Sequence, residues 1–206
     1  MRGHRLQIDP RGIVMVEGIP VTSRARTRCD LATLLAAEGP VAAGDFLIWW
    51  RHPPSVRLDA AKLVDMVGRH PGRRNHAVLH ERVPVLSDRA DSPPESKMRW
   101  WFILAGAPGP EVNIPVIDDG GVFVGQPDLR FPKYRIAYDY DYEGDYDYEG
   151  DYHQADRAQW GRDLGCTPRF EDADWSYLKA GTPDLDDSRR IISLLFRHLS
   201  SRGFLR

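Results

Sequence analysis

Upstream of about residue 90 the hydrophobic positions recur mainly at three- and four-residue spacing, and downstream short alternating runs take over. The chain opens with an apolar run, Ile13-Val14-Met15-Val16, followed by Gly18-Ile19-Pro20-Val21. Thr22 or Ser23 can cap a helix through Ala25, Cys29, Leu31, Leu34 and Leu35, which Gly39-Pro40 ends. A second helix carries Val41, Phe46, Leu47, Trp49 and Trp50, and His52-Pro53-Pro54 breaks it. A third covers Leu58 to about Val67, and a fourth, basic one runs from Arg73 to Leu86. Residues 1–90 thus read as a small, mostly helical domain or arm, with the boundary near Ser87–Asp91.

The remainder, 91–206, reads as α/β of the α+β type. Ser92 caps a helix with proline in its first turn and Glu95 at the third position; Met98, Trp101, Phe102, Leu104 and Ala105 carry it to Gly106. Glu111 to Ile117 alternates as a strand, Asp118-Asp119-Gly120-Gly121 is a hairpin turn, and Val122 to Leu129 returns. Phe131-Pro132-Lys133 turns into a further strand, Arg135–Asp141. A helix follows from His153 to Leu164, then a short strand at Trp175–Leu178 and an amphipathic helix from Ser188 to Arg202. That order predicts a mixed sheet flanked by helices, not a regular βαβ winding.

Bulk composition narrows the class. The chain has 206 residues, 42% hydrophobic, with six tryptophans, enough for a core. No apolar run approaches membrane-spanning length, and the basic N-terminus lacks the apolar stretch of a signal peptide, so no membrane partner is expected. Cys29 and Cys166 are two thiols without partner spacing. They fit burial in a reducing cytoplasm better than a disulfide or zinc site. Net charge is only −2, but residues 139–174 hold twelve Asp or Glu against three Arg, a local −9 that leaves +7 on the rest. A basic body with one acidic edge suits a metal-dependent nuclease: the body attracts phosphates and the edge holds the cation. A solvated acidic loop has the same composition.

The acidic edge begins where the candidate chemistry lies. Gln126-Pro127-Asp128-Leu129-Arg130 precedes the strand that ends in Asp139-Tyr140-Asp141. The hexapeptide Asp-Tyr-Asp-Tyr-Glu-Gly occupies 139–144 and again 145–150, with Asp151-Tyr152-His153 following. Carboxylates at the ends of neighbouring strands can share Mg2+ or Mn2+, which takes one or two carboxylates and keeps several waters. Asp128, Asp139 and Asp141 are therefore the candidate metal ligands. Asp128 equally suits a turn before Phe131-Pro132. Glu95 is a third acid, fully explained by a capping box with Ser92. His153, at the predicted helix entry, could serve as a general acid.

At these residues the chain resembles a known family. Glu95-Ser96 in a helix, Pro127-Asp128-Leu129 in a strand, and Arg135-Ile136-Ala137-Tyr138 running into acids, Gly150 and His153 resemble a bacterial family of uncharacterised proteins. Their C-terminal domain is similar to very-short-patch-repair endonucleases of the PD-(D/E)xK fold. Upstream, Gly18-Ile19-Pro20-Val21-Thr22-Ser23-Arg24-Ala25-Arg26-Thr27 with Cys29-Asp30-Leu31-Ala32 resembles actinobacterial members whose N-terminal parts are likened to AbiEi-type antitoxin regulators. The resemblance implies a restriction-endonuclease-like sheet and a DNA partner. It implies Asp128 as central metal ligand, Asp139 as the second strand ligand, Glu95 near the metal and His153 as the active-site histidine. The chain departs from the family pattern in three ways. Asp139 stands where Glu is common, Asp141 stands where the nuclease lysine would be, and the hexapeptide copy separates strand acid from histidine. Two activities follow as expectations: a Mg2+-dependent DNA endonuclease, or a non-catalytic DNA-binding or antitoxin-like regulator that keeps the nuclease scaffold.

Overall fold

The structure is a computed structural model and describes residues 8–32, 34–70, 79, 83–141 and 167–205. Its contacts divide the chain into Met1–Trp100 and Trp101–Arg206. Each unit has its own elements and core, and the architecture is mixed α/β.

The first unit begins with a hairpin of β1 (Ile13–Val16) and β2 (Ile19–Thr22), turned at Glu17 and Gly18, both with positive φ. Helices α1 (Arg24–Leu31), α2 (Gly39–Ile48) and α3 (Ala60–Arg69) follow. Ser23 Oγ accepts the Arg26 N–H and starts α1, as its position before the periodic run predicts. The helix stops at Leu31, short of the predicted Leu35, and Leu34 and Leu35 are exposed. Ala25, Cys29, Ile48, Leu63, Met66, Val67 and Leu79 form the core. Burial pushes the Cys29 thiol up to about 11, so it behaves as a small hydrophobe. Of the predicted fourth helix, 73–78 and 80–82 lie outside the described residues, and Val83–Val85 is a 3-10 turn. Asp45 and Arg99 are paired in the interior at 2.5 Å. Asp45 also accepts the Ser87 N–H, while burial drives its carboxyl upward against the pull of Arg99.

Helix α4 (Pro93–Leu104) leads into the second unit, where the sheet order is β3 (Glu111–Val112), β6 (Leu129–Phe131), β7 (Ile136–Tyr140), β8 (Ser176–Ala180). The first two pairings are antiparallel and β7–β8 is parallel. Two predicted long strands are each split. Glu111–Ile117 breaks at Asn113, whose φ is +51°, and its second half is β4 (Val116–Ile117). Val122–Leu129 breaks before Pro127, leaving β5 (Phe123–Gly125) paired with β4. The turn between β4 and β5 matches the prediction. Gly121 adopts φ +82°, and Asp118 Oδ1 accepts the N–H groups of Gly120 and Val122.

Alternation gives the main sheet two faces. Leu129, Phe131, Ile136 and Tyr138 share one, against which Phe102 of α4 packs at 5.2 Å from Tyr138 and 6.2 Å from Phe131. The Tyr138 hydroxyl donates to the Ile191 carbonyl of α6 (Arg189–Ser201), which follows the short α5 (Thr182–Asp186). Ala137 marks the opposite face, where Val116, Val124, Phe170, Trp175 and Tyr177 form a second cluster. That cluster covers only part of its face; the strand ends beyond it carry the acids.

Candidate active site

Register delivers the acids to one place. Leu129 is paired with Tyr138, so the preceding residue on β6 faces the following residue on β7: Asp128 stands across from Asp139. Their carboxylates interlock with each other's backbone. Asp139 Oδ1 accepts the Asp128 N–H at 2.7 Å, and Asp128 Oδ2 accepts the Tyr140 N–H at 2.7 Å. Both residues are half-buried. Like charges directly opposite on a sheet are destabilising. Here each carboxylate gains a charge-assisted hydrogen bond that offsets the repulsion and fixes its rotamer. A carboxylate oxygen has two lone pairs and can accept a hydrogen bond and bind a cation at once.

The third strand completes the arrangement. β8 runs parallel to β7 with Asp139 in register with Lys179 and Ala137 with Tyr177. Tyr177 and Lys179 therefore share the acids' face. The Tyr177 hydroxyl donates a hydrogen bond to Asp139 Oδ2. Its ring is stacked on Phe170, with centroids 4.6 Å apart and planes 7° from parallel. Lys179 Nζ lies 2.9 Å from Asp141 Oδ2, and both side chains are about a third exposed. Sequence reasoning missed Tyr177 and Lys179. Their two-residue spacing in a strand-like stretch is the only local signal, and it says nothing about which strand they join. The cation paired with Asp141 thus stands on the neighbouring strand.

Glu95 belongs to the first unit. Glu95 is buried in the first turn of α4, where its N–H donates to Ser92 Oγ at 3.3 Å and its Oε2 accepts the Asp91 N–H at 2.9 Å. This is the predicted cap shifted by one residue, since the carboxylate reaches back to Asp91 instead of Ser92. His153, the predicted helix 153–164 and Cys166 lie outside the described residues.

As a metal site, the pair supplies two hard oxygen donors, the number Mg2+ commonly takes from protein alongside water. No cluster of three or more His, Cys, Asp or Glu side chains suited to a metal ion occurs among the described residues. Asp141, the third predicted ligand, pairs with Lys179. No described helix is long and apolar enough to cross a membrane. No family model matches the chain, and no curated protein or solved structure matches it either.

Proposed function

We propose that the second unit is a metal-dependent phosphodiesterase acting on DNA, built on a PD-(D/E)xK-type sheet. The observation that carries this reading is the cross-strand placement of Asp128 and Asp139, held by reciprocal 2.7 Å hydrogen bonds where β6 begins and β7 ends. A bound Mg2+ or Mn2+ would acidify a ligated water and neutralise charge on the scissile phosphate. Asp128 and Asp139 hold it. Tyr177, anchored on Phe170, keeps Asp139 in the required rotamer, as outer-shell donors do for ligating carboxylates. Lys179, on the same face, attracts the phosphate and stabilises its developing negative charge. His153 is the proposed proton donor. A DNA substrate and a buried free Cys29 agree with action in a reducing cytoplasm.

The alternative is a non-catalytic DNA-binding or antitoxin-like regulator on the same scaffold. One observation favours it: both oxygens of Asp139 accept protein hydrogen bonds, and Asp141 is held by Lys179. One experiment separates the readings. Mg2+ and Mn2+ are titrated calorimetrically into wild type and Asp128→Ala, and duplex and nicked DNA are offered to both. Metal-dependent heat and cleavage in wild type alone support the enzyme. Equal residual activity in the two proteins, or no metal heat in wild type, supports the regulator.

A further inference from the structure

The first unit carries an exposed aromatic and arginine cluster that the cleavage chemistry does not use. Helix α2 ends at Ile48, and the next residues leave the helix as an extended corner. Phe46 and Trp50 are left 62% and 47% exposed, an unusual outlay of aromatic surface. The corner is a fixed structure. Asp91 accepts the Trp49 indole N–H at 2.7 Å and pairs with Arg51 at 2.9 Å. That guanidinium lies 5.7 Å from the Trp49 ring and 5.1 Å from the Trp50 ring, and the Arg89 guanidinium lies 6.0 Å from the Trp50 ring. The His52 ring wedges edge-on between Phe46 (4.8 Å) and Trp49 (5.0 Å). A cleft of about 100 Å³, lined by Phe46, Trp49, Ala42, Pro93 and the Ser92 and Asp91 side, opens beside it.

We propose that this corner binds single-stranded nucleic acid, with unpaired bases stacking on Trp50 and Phe46 and the backbone running past Arg51 and Arg89. Flat aromatic faces interleaved with guanidinium groups are the chemistry that takes unpaired bases without reading sequence. The charge agrees. Three arginines meet the corner, Arg51 and Arg89 at the Trp50 ring and Arg57 at the Trp50 carbonyl, so a polyanion is the complementary occupant. Asp91, the acid at the centre of the cluster, is neutralised by Arg51. The inference stands apart from the cleavage reading, because it concerns binding by the first unit.

The full chain, in EDTA, is titrated with fluorescein-labelled short oligo-dT and with a mixed-sequence duplex. Oligo-dT binds, Trp50→Ala and Phe46→Ala each weaken it roughly tenfold or more, and Trp50→Phe retains most of the affinity. Arg51→Ala and Arg89→Ala each lower the salt slope by about 0.7, the value for one phosphate contact on a single strand. Both aromatic positions are exposed, so their variants fold, and circular dichroism verifies this. EDTA removes the metal that cleavage needs, so a failure of the cleavage reading leaves this result unaffected. Wild-type affinity in both alanine variants overturns the proposal. So does equal competition by polyglutamate, which indicates a general polyanion surface. Absence of nucleic-acid binding with self-association lost in Trp50→Ala also overturns it, and shows a protein contact instead.

Discussion

Asp139→Asn separates a structural role from a catalytic one at the same position. The amide keeps a carbonyl oxygen for the Asp128 N–H and offers an N–H₂ group to the Tyr177 hydroxyl, so the two hydrogen bonds seen at Asp139 persist in neutral form. Hydrogen bonds to a charged acceptor contribute about 1.5–3 kcal/mol and neutral ones about 0.5–1.5, a loss of about 1 kcal/mol per bond. Two bonds lose about 2 kcal/mol. Removing the charge opposite Asp128 returns about 0.2–1 kcal/mol of cross-strand repulsion. The net destabilisation is about 1–2 kcal/mol, a fall in Tm of roughly 2–8 °C for a chain of this size. A ligand's outer-shell partners alone are worth about 10–100-fold in affinity or activity, so losing a direct carboxylate ligand lowers metal affinity and cleavage by at least about 100-fold. Thermal melts, metal calorimetry and plasmid nicking are run on the same preparations. A variant that loses the stated stability yet keeps wild-type metal heat and cleavage refutes the reasoning: Asp139 would then be a strand fastener and nothing more.

Two further outcomes test the surroundings of the pair. Lys179→Met breaks a partly exposed ion pair, so stability changes by less than about 1 kcal/mol. Cleavage falls by about 100-fold if the ammonium stabilises the transition state, Lys179→Arg recovers part of it, and unchanged turnover in Lys179→Met removes the lysine from the site. Gly125→Ala acts from a distance. A Cβ there meets the buried Phe170 ring at 2.8 and 3.0 Å, and Phe170 is stacked on Tyr177. The overlap costs about 1–3 kcal/mol, and displacement of Tyr177 lowers cleavage beyond what the melt accounts for. Adding Phe170→Leu relieves the clash and restores part of the stability, and a melt unchanged by Gly125→Ala contradicts the packing.

Local chemistry made some features legible. Ser23, the Asp118–Gly121 turn and the Ser92–Glu95 cap act within a few residues, and all appear as hydrogen bonds in the structure. The Asp128 and Asp139 pairing was also readable, because a short connection through Phe131–Lys133 forces the two strands to lie antiparallel. What escaped depends on distant partners. Alternation over Glu111–Ile117 and Val122–Leu129 continues across residues that break the ladder at Asn113 and before Pro127. The parallel docking of β8 onto β7 joins segments some forty residues apart, and only that docking brings Tyr177 and Lys179 to the acids. The aromatic corner was hidden for the opposite reason. Trp49 and Trp50 fit a helical hydrophobic face, yet the helix ends at Ile48 and exposes Trp50 beside two arginines.

The tandem hexapeptide left two registers open, since either copy could supply the strand acid. The structure selects the first. Asp139 and Tyr140 belong to β7, Asp139 lies across from Asp128 and in register with Lys179, and Asp141 N–H continues the pairing to the Ala180 carbonyl. A shift of six residues is even, so the second copy presents the same alternation of acid and tyrosine and would not have flipped the faces. Alternation therefore cannot have chosen between them; side-chain contacts did. Tyr138, one residue ahead of the first copy, fills the apolar face against Phe102 and Ile191, and Ala137 sits under Phe170 and Trp175. The residue one ahead of the second copy is Gly144. Sliding that copy into place would put Gly144 where Tyr138 now packs and remove an aromatic ring from a fully buried site. That loss is worth about 3–5 kcal/mol on the scale of buried aromatic truncations. The hydrophobic residues upstream of the repeat thus fix which carboxylate meets Asp128.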